Sequence, residues 1–129
     1  MNKILVEVSI GELLDKISIL EIKLNKIKDS ENLKFISNEH SILKKQLDNN
    51  VKSDDKLVKF FQLLKEINEK LWVIEDEKRQ CEKDKDFGEQ FIKLSRDVHF
   101  LNDERAKIKL DINNHTGSSI KEIKEYTSY

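Results

Sequence analysis

Residues 54–84 read DDKLVKFFQLLKEINEKLWVIEDEKRQCEKD, and this stretch decides the fold. It holds neither proline nor glycine, and Leu57, Phe61, Leu64, Asn68, Trp72, Glu75, Arg79 and Glu82 follow one another at steps of three and four, the spacing of one helix face. A helix over 54–84 would run about 45 Å at ~1.5 Å per residue. The first half of its stripe is ordinary core, and the second half is polar. A later stripe, Phe87, Phe91, Leu94, Val98, Leu101, Arg105, Ile108 and Ile112, predicts a second long helix over 87–115 interrupted by one guanidinium.

Between the two lies Lys83-Asp84-Lys85-Asp86, without an apolar side chain and followed by Gly88, so the chain reverses there into an antiparallel hairpin. With the turn near residue 85, positions whose numbers sum to about 170 face each other. That register puts Glu75 near Arg96, Asn68 near Asn102 and Trp72 near Val98 and His99. Arg79 gains Glu75 or Glu82 as a partner one turn away. Arg105 meets Leu64 and needs an acid from elsewhere, Asp15 or Glu21 of the first helix.

That first helix is predicted over 10–28. Ser9-Ile10-Gly11-Glu12 has the form of a capping box, and Ile10, Leu13, Leu14, Ile17, Leu20, Leu24 and Ile27 keep the helical period. Asp29 and Ser30 cap a second helix over 31–48, whose seam is Leu33, Ile36, His40, Leu43 and Leu47. Residues 48–55 read as the longest loop, with Ser53 as N-cap of the third helix. Lys3 to Val8 alternate in the β sense, giving residues 1–9 the character of a short extended arm. Gly117 supplies a helix stop, and the tail 118–129 has no sustained period. The expectation is all-α: one domain over 1–129, a four-helix antiparallel bundle built on a long helical hairpin.

The totals agree. The chain has 129 residues, no proline, 3 glycines, 37% apolar and 38% charged residues, a composition of long amphipathic helices. Its 24 basic and 25 acidic residues nearly cancel and are interspersed, so no field builds up to steer nucleic acid or anionic lipid. Nucleic-acid and membrane partners are therefore not expected. Cys81 is the single cysteine, which excludes an internal disulfide and suits a reducing compartment. No stretch approaches the ~20 apolar residues that cross a bilayer, and the N-terminus lacks the core of a signal peptide; the chain reads as cytoplasmic.

No catalytic signature is present. His40, His99 and His115 lie in separate regions without the spacing of a di-iron or zinc helix, no glycine-rich phosphate loop exists, and Cys81 has no evident base beside it. Glu12-Leu-Leu-Asp15 is similar to the acidic helix pairs of magnesium-binding pyrophosphohydrolases, but a second pair is missing. No metal, cofactor or catalytic residue is expected.

The segments carrying Gly11-Glu-Leu-Leu-Asp-Lys-Ile17, Leu71-Trp-Val-Ile-Glu-Asp-Glu-Lys-Arg79 and Asn102-Asp-Glu-Arg-Ala-Lys-Ile-Lys109 resemble a small bacterial family of helical proteins of unknown function, nearly end to end. Ile10 departs from it, since proline is common there. The resemblance implies a self-contained helical domain from bacteria, near genes for surface polysaccharide assembly, and no established activity. Its recurrent positions fall on Trp72, Glu75, Asp76, Arg79, Asn102, Asp103 and Arg105.

With Arg96, added by the hairpin register, these residues form the candidate ligand site. Inward charges need partners, and two readings compete: an internal network that sets helix register, or a site in which Trp72 and the arginines hold an anionic or sugar-like molecule. A binding or assembly module, dimeric through the hairpin, is the leading expectation. The alternatives are an enzyme on a nucleotide-sugar or phosphorylated sugar, with Glu75 or Asp76 as acid or base and Arg79, Arg96 and Arg105 as phosphate clamp, and a coiled-coil scaffold without ligand.

Overall fold

In a computed structural model that describes residues 2–129, the chain folds into four helices: α1 (Ile10–Lys26), α2 (Ser30–Asn50), α3 (Asp55–Lys83) and α4 (Glu89–Thr116). Among the described residues there is no strand. The expected all-α four-helix architecture is what forms.

Local chemistry sets the ends. Ser9 caps α1 by accepting from the Glu12 amide at 3.1 Å. The reciprocal half of the capping box is absent, because the Glu12 carboxylate turns to Lys109 instead. Asp29 caps α2 through the Asn32 amide at 2.8 Å. The cap of α3 is Asp54 and not the expected Ser53: an extended Asp54 accepts from the Leu57 amide at 2.8 Å and also receives His115. A carboxylate serving both purposes displaces a hydroxyl one residue earlier. The loop expected over 48–55 shrinks, since α2 continues to Asn50. Gly117 ends α4 in the left-handed region, φ 68°, where a side chain would be strained.

The contacts Gly11 to Asn113 and Asp15 to Arg105 run in opposite chain order, so α1 is antiparallel to α4. Lys78 over Phe91 and Asp54 on His115 obey the hairpin register near 170. Leu14, Leu57, Leu64 and Ile112 form the central core, closed by Ile10, Leu47, Val51, Phe60, Phe61 and Ile108. Helix α2 packs on α1 and holds no fully buried residue. The tail leaves Gly117 without helical structure and runs back along α4: Glu122 pairs with Lys109 at 3.2 Å, and the Tyr129 hydroxyl donates to Asp103 beside the rings of His99 and Phe100.

Unequal helix lengths explain the polar half-stripe. Helix α1 has 17 residues and α3 has 29, about 26 Å against ~44 Å. Leu57, Leu64 and Asn68 are buried where α1 covers them, whereas Trp72 and Glu75 are half-buried and Arg79 and Glu82 are exposed beyond its end. The stripe keeps its face throughout; its cover stops. The premise that all these charges turn inward is therefore corrected. Toward the turn of the hairpin Leu94 and Cys81 stay buried.

Candidate functional site

A hub of charge sits where α1, α3 and α4 meet. The Asp15 side chain is 1% exposed and has three hydrogen-bond partners or ion contacts of different kinds. Arg105 donates to it through Nε at 3.0 Å and again through Nη2. Asn68 Nδ2 donates to it at 2.8 Å and to Ser18 Oγ at 2.8 Å. Lys109 Nζ lies 3.6 Å away. The bidentate fork of a guanidinium on a carboxylate is the strongest form of such a pair.

Burial pushes the Asp15 carboxyl up, yet the hydrogen bonds from Arg105 and Asn68 and the positive charges of Arg105 and Lys109 outweigh it and hold the pKa below its ordinary value. The hydrogen bond that Arg105 donates to Asp15 raises the Arg105 pKa in turn. For Lys109, burial lowers the pKa, but Glu12 at 2.6 Å and the Asp15 charge outweigh it and raise the pKa. Glu122 is held low by Lys109. Asp15, Arg105, Lys109 and Glu122 are thus each held in the charged form by their neighbours. Among the described residues no buried polar side-chain atom lacks a partner, so the buried side of the hub is satisfied within the chain.

Beside the hub lies a cleft of about 490 Å³, lined by Ile19 and Ile22 of α1, Asn68, Leu71, Trp72, Glu75, Asp76 and Arg79 of α3, and Arg105 of α4. Its size falls in the ordinary range for ligand pockets. Arg105 joins hub and cleft, its side chain 28% exposed and pinned by Asp15. Arg79 Nη1 reaches Glu75 Oε2 at 3.1 Å, an exposed pair one turn apart. Such pairs contribute only about 0.3–0.5 kcal/mol, so Arg79 can reorient at little cost. Asp76 is exposed and enters no ion pair with the described residues, and none of them accepts from the Trp72 indole.

Of the eight sequence-derived site residues, five line this cleft: Trp72, Glu75, Asp76, Arg79 and Arg105. Asn102 supports it from behind, its Oδ1 accepting from Arg105 Nη1 at 3.4 Å. Arg96 stands apart, exposed with its guanidinium carbon 5.7 Å from the centre of the Phe100 ring. Asp103 is exposed and receives Tyr129. The reading of the sequence missed Lys109 and Asn113, buried at 8% and 1% exposure. Their signal was present: Asn102, Arg105, Lys109 and Asn113 are spaced by three and four residues, a polar stripe aimed at α1. Asn113 Oδ1 accepts from the Gly11 amide at 2.7 Å.

Among the described residues no cluster of His, Cys, Asp and Glu is arranged to hold a metal ion, and no helix is long and apolar enough to cross a membrane. Residues 4–129 match the model of a family of unknown function, DUF6165. The chain belongs to that family. Comparison with curated proteins and with solved structures finds no match. Family membership thus spans the hub, the cleft and most of the arm, and carries no activity with it.

Proposed function

We propose that this chain is a non-catalytic binding module that takes a sugar-like, polyhydroxyl ring in the cleft beside Trp72. The observation that carries the reading is the juxtaposition of an indole with an unengaged donor, an unpaired carboxylate on Asp76 and a guanidinium on Arg105 immobilised by a buried partner. An aromatic face receives the apolar side of a sugar ring, while carboxylate and guanidinium accept from and donate to its hydroxyls. Arg105 is pre-oriented, which lowers the ordering cost of binding.

Charge balance selects among ligands. Asp15 neutralises Arg105 and Glu75 neutralises Arg79, leaving the carboxylate of Asp76 in excess. A neutral ring suits such a cleft better than a multiply phosphorylated one. The enzymatic alternative loses support on the same grounds. Its phosphate clamp needs Arg96, which sits beside Phe100, and a general acid needs shelter from water, whereas Glu75 is half-exposed and Asp76 exposed.

Trp72 is the single tryptophan, so its emission reports on the cleft alone. Titration with a panel of neutral monosaccharides, sugar phosphates and nucleotide-sugars is expected to change Trp72 emission saturably for a neutral member, with the response lost in Asp76→Asn while the circular dichroism is unchanged. A flat emission throughout the panel, or a response indifferent to Asp76→Asn, removes the proposal.

A further inference from the structure

Residues 2–8 lie outside any helix and are exposed along their whole length. Within them Ile4 is 89% exposed, Leu5 87% and Val6 74%. Three consecutive aliphatic side chains held in water are unfavourable, and a chain segment with unpaired amides and carbonyls is a template for strand pairing. The root of this arm is fixed. Ser9 is buried and caps α1, and the Ile10 amide donates to Ser118 Oγ at 3.1 Å. The arm therefore projects from a defined point.

We propose that the arm pairs with the arm of a second copy of this chain, as a two-fold antiparallel ribbon centred on Leu5. The charge pattern carries the choice. Around Leu5 the sequence Lys3-Ile4-Leu5-Val6-Glu7 is self-complementary: Lys3 of each copy stands opposite Glu7 of the other, Ile4 opposite Val6, and Leu5 opposite itself. Opposite charges across a strand pair stabilise it and like charges destabilise it. A parallel in-register pair sets lysine on lysine and glutamate on glutamate. Slipping the antiparallel pair by two residues either moves both charges onto aliphatics or calls on Ser9, already buried in the body. Alternation then places Ile4, Val6 and Val8 of both copies on one face, and Val8 is the least exposed of the three, at 39%. The closed two-fold arrangement uses the same patch on each partner. This interface is separate from the hairpin and from the Trp72 cleft.

Sedimentation of the full chain and of Lys3→Glu, Glu7→Lys and the double exchange, from about 1 to 500 µM, tests it. The wild-type chain is expected to dimerise in that range. Each single variant opposes like charges twice per dimer and should weaken association at least about tenfold; the double exchange should restore it. Leu5→Cys should oxidise to a covalent dimer in air, since the native Cys81 is buried. A wild-type monomer throughout, a dimer indifferent to the single changes, as one formed through the hairpin would be, or a double exchange that fails to recover each overturns the proposal.

Discussion

Arg105 of α4 closes on Asp15 of α1 through two of its nitrogens, and Asp15 is 1% exposed. Residues ninety positions apart are thereby held in one contact. Helix α1 gains its angle and depth against the hairpin from that pair, and the cleft beside Trp72 gains its fixed guanidinium.

Removing one partner strands the other. Arg105→Met leaves a buried carboxylate with Asn68 and Lys109 as its remaining partners, and loss of one member of a buried pair costs about 3–5 kcal/mol. Because Lys109 compensates in part, the expected loss is about 3 kcal/mol, a fall in Tm of roughly 10 °C for a chain of this size. Thermal unfolding followed by circular dichroism measures it. In the Asp15→Asn/Arg105→Met double variant the loss should be smaller than the two single losses added together.

Acid should weaken the same contact in one direction. The folded pKa of Asp15 lies below its ordinary value, so the unfolded chain takes up a proton there first. The stabilisation is complete above the ordinary carboxylate pKa, about 4, and is lost as pH falls through the lower folded value. Urea midpoints measured from pH 7 downward should drop more steeply for the wild type than for Asp15→Asn in that acidic window. Parallel curves would assign the acid sensitivity elsewhere.

Close approach of α1 to α4 depends on the missing side chain of Gly11. A Cβ there would lie 2.6 Å from the Lys109 carbonyl oxygen and 3.0 Å from Asn113 Oδ1. Since backbone cannot yield as a side chain tip can, Gly11→Ala should separate the helices, weaken the Gly11 to Asn113 hydrogen bond and destabilise by about 1–3 kcal/mol. Gly88→Ala is the control: its nearest neighbour is the Asp86 side chain at 3.3 Å, and its midpoint should move little.

Helix α2 is expected to be the part of the bundle that opens first. It buries no residue completely, and Glu21 ties it to the body by accepting from His40 at 3.2 Å and Lys65 at 3.2 Å. Amide exchange should be faster in α2 than in the covered parts of α3 and α4, and faster again in Glu21→Gln, with little change around Asp15. Uniform protection across the four helices would contradict this order.

How far residues alone reveal the site depends on which geometry they encode. The helical period locates the stripe from Leu57 to Glu82, and the need of Arg105 for an acid points to Asp15, because both are matters of spacing and charge. What the period does not contain is where α1 ends against α3. That offset decides that Asn68 is buried while Arg79 meets water. Arg96 entered the candidate set through the hairpin register, which places backbones opposite each other and leaves long side chains free to find Phe100. Lys109 escaped notice since a lone lysine among apolar residues usually marks a solvated flank; here three carboxylates from α1 and the tail surround it.

The ¹H–¹⁵N spectrum of the labelled chain, recorded while a neutral monosaccharide panel is added, tests the cleft most directly. Saturable shifts of the Trp72 indole, the Asn68 side-chain amide and the Arg79 and Arg105 Nε–H signals are expected for at least one sugar, with residues of α2 unmoved. Spectra that stay superimposable for every sugar, or shifts that gather away from Trp72, would contradict it.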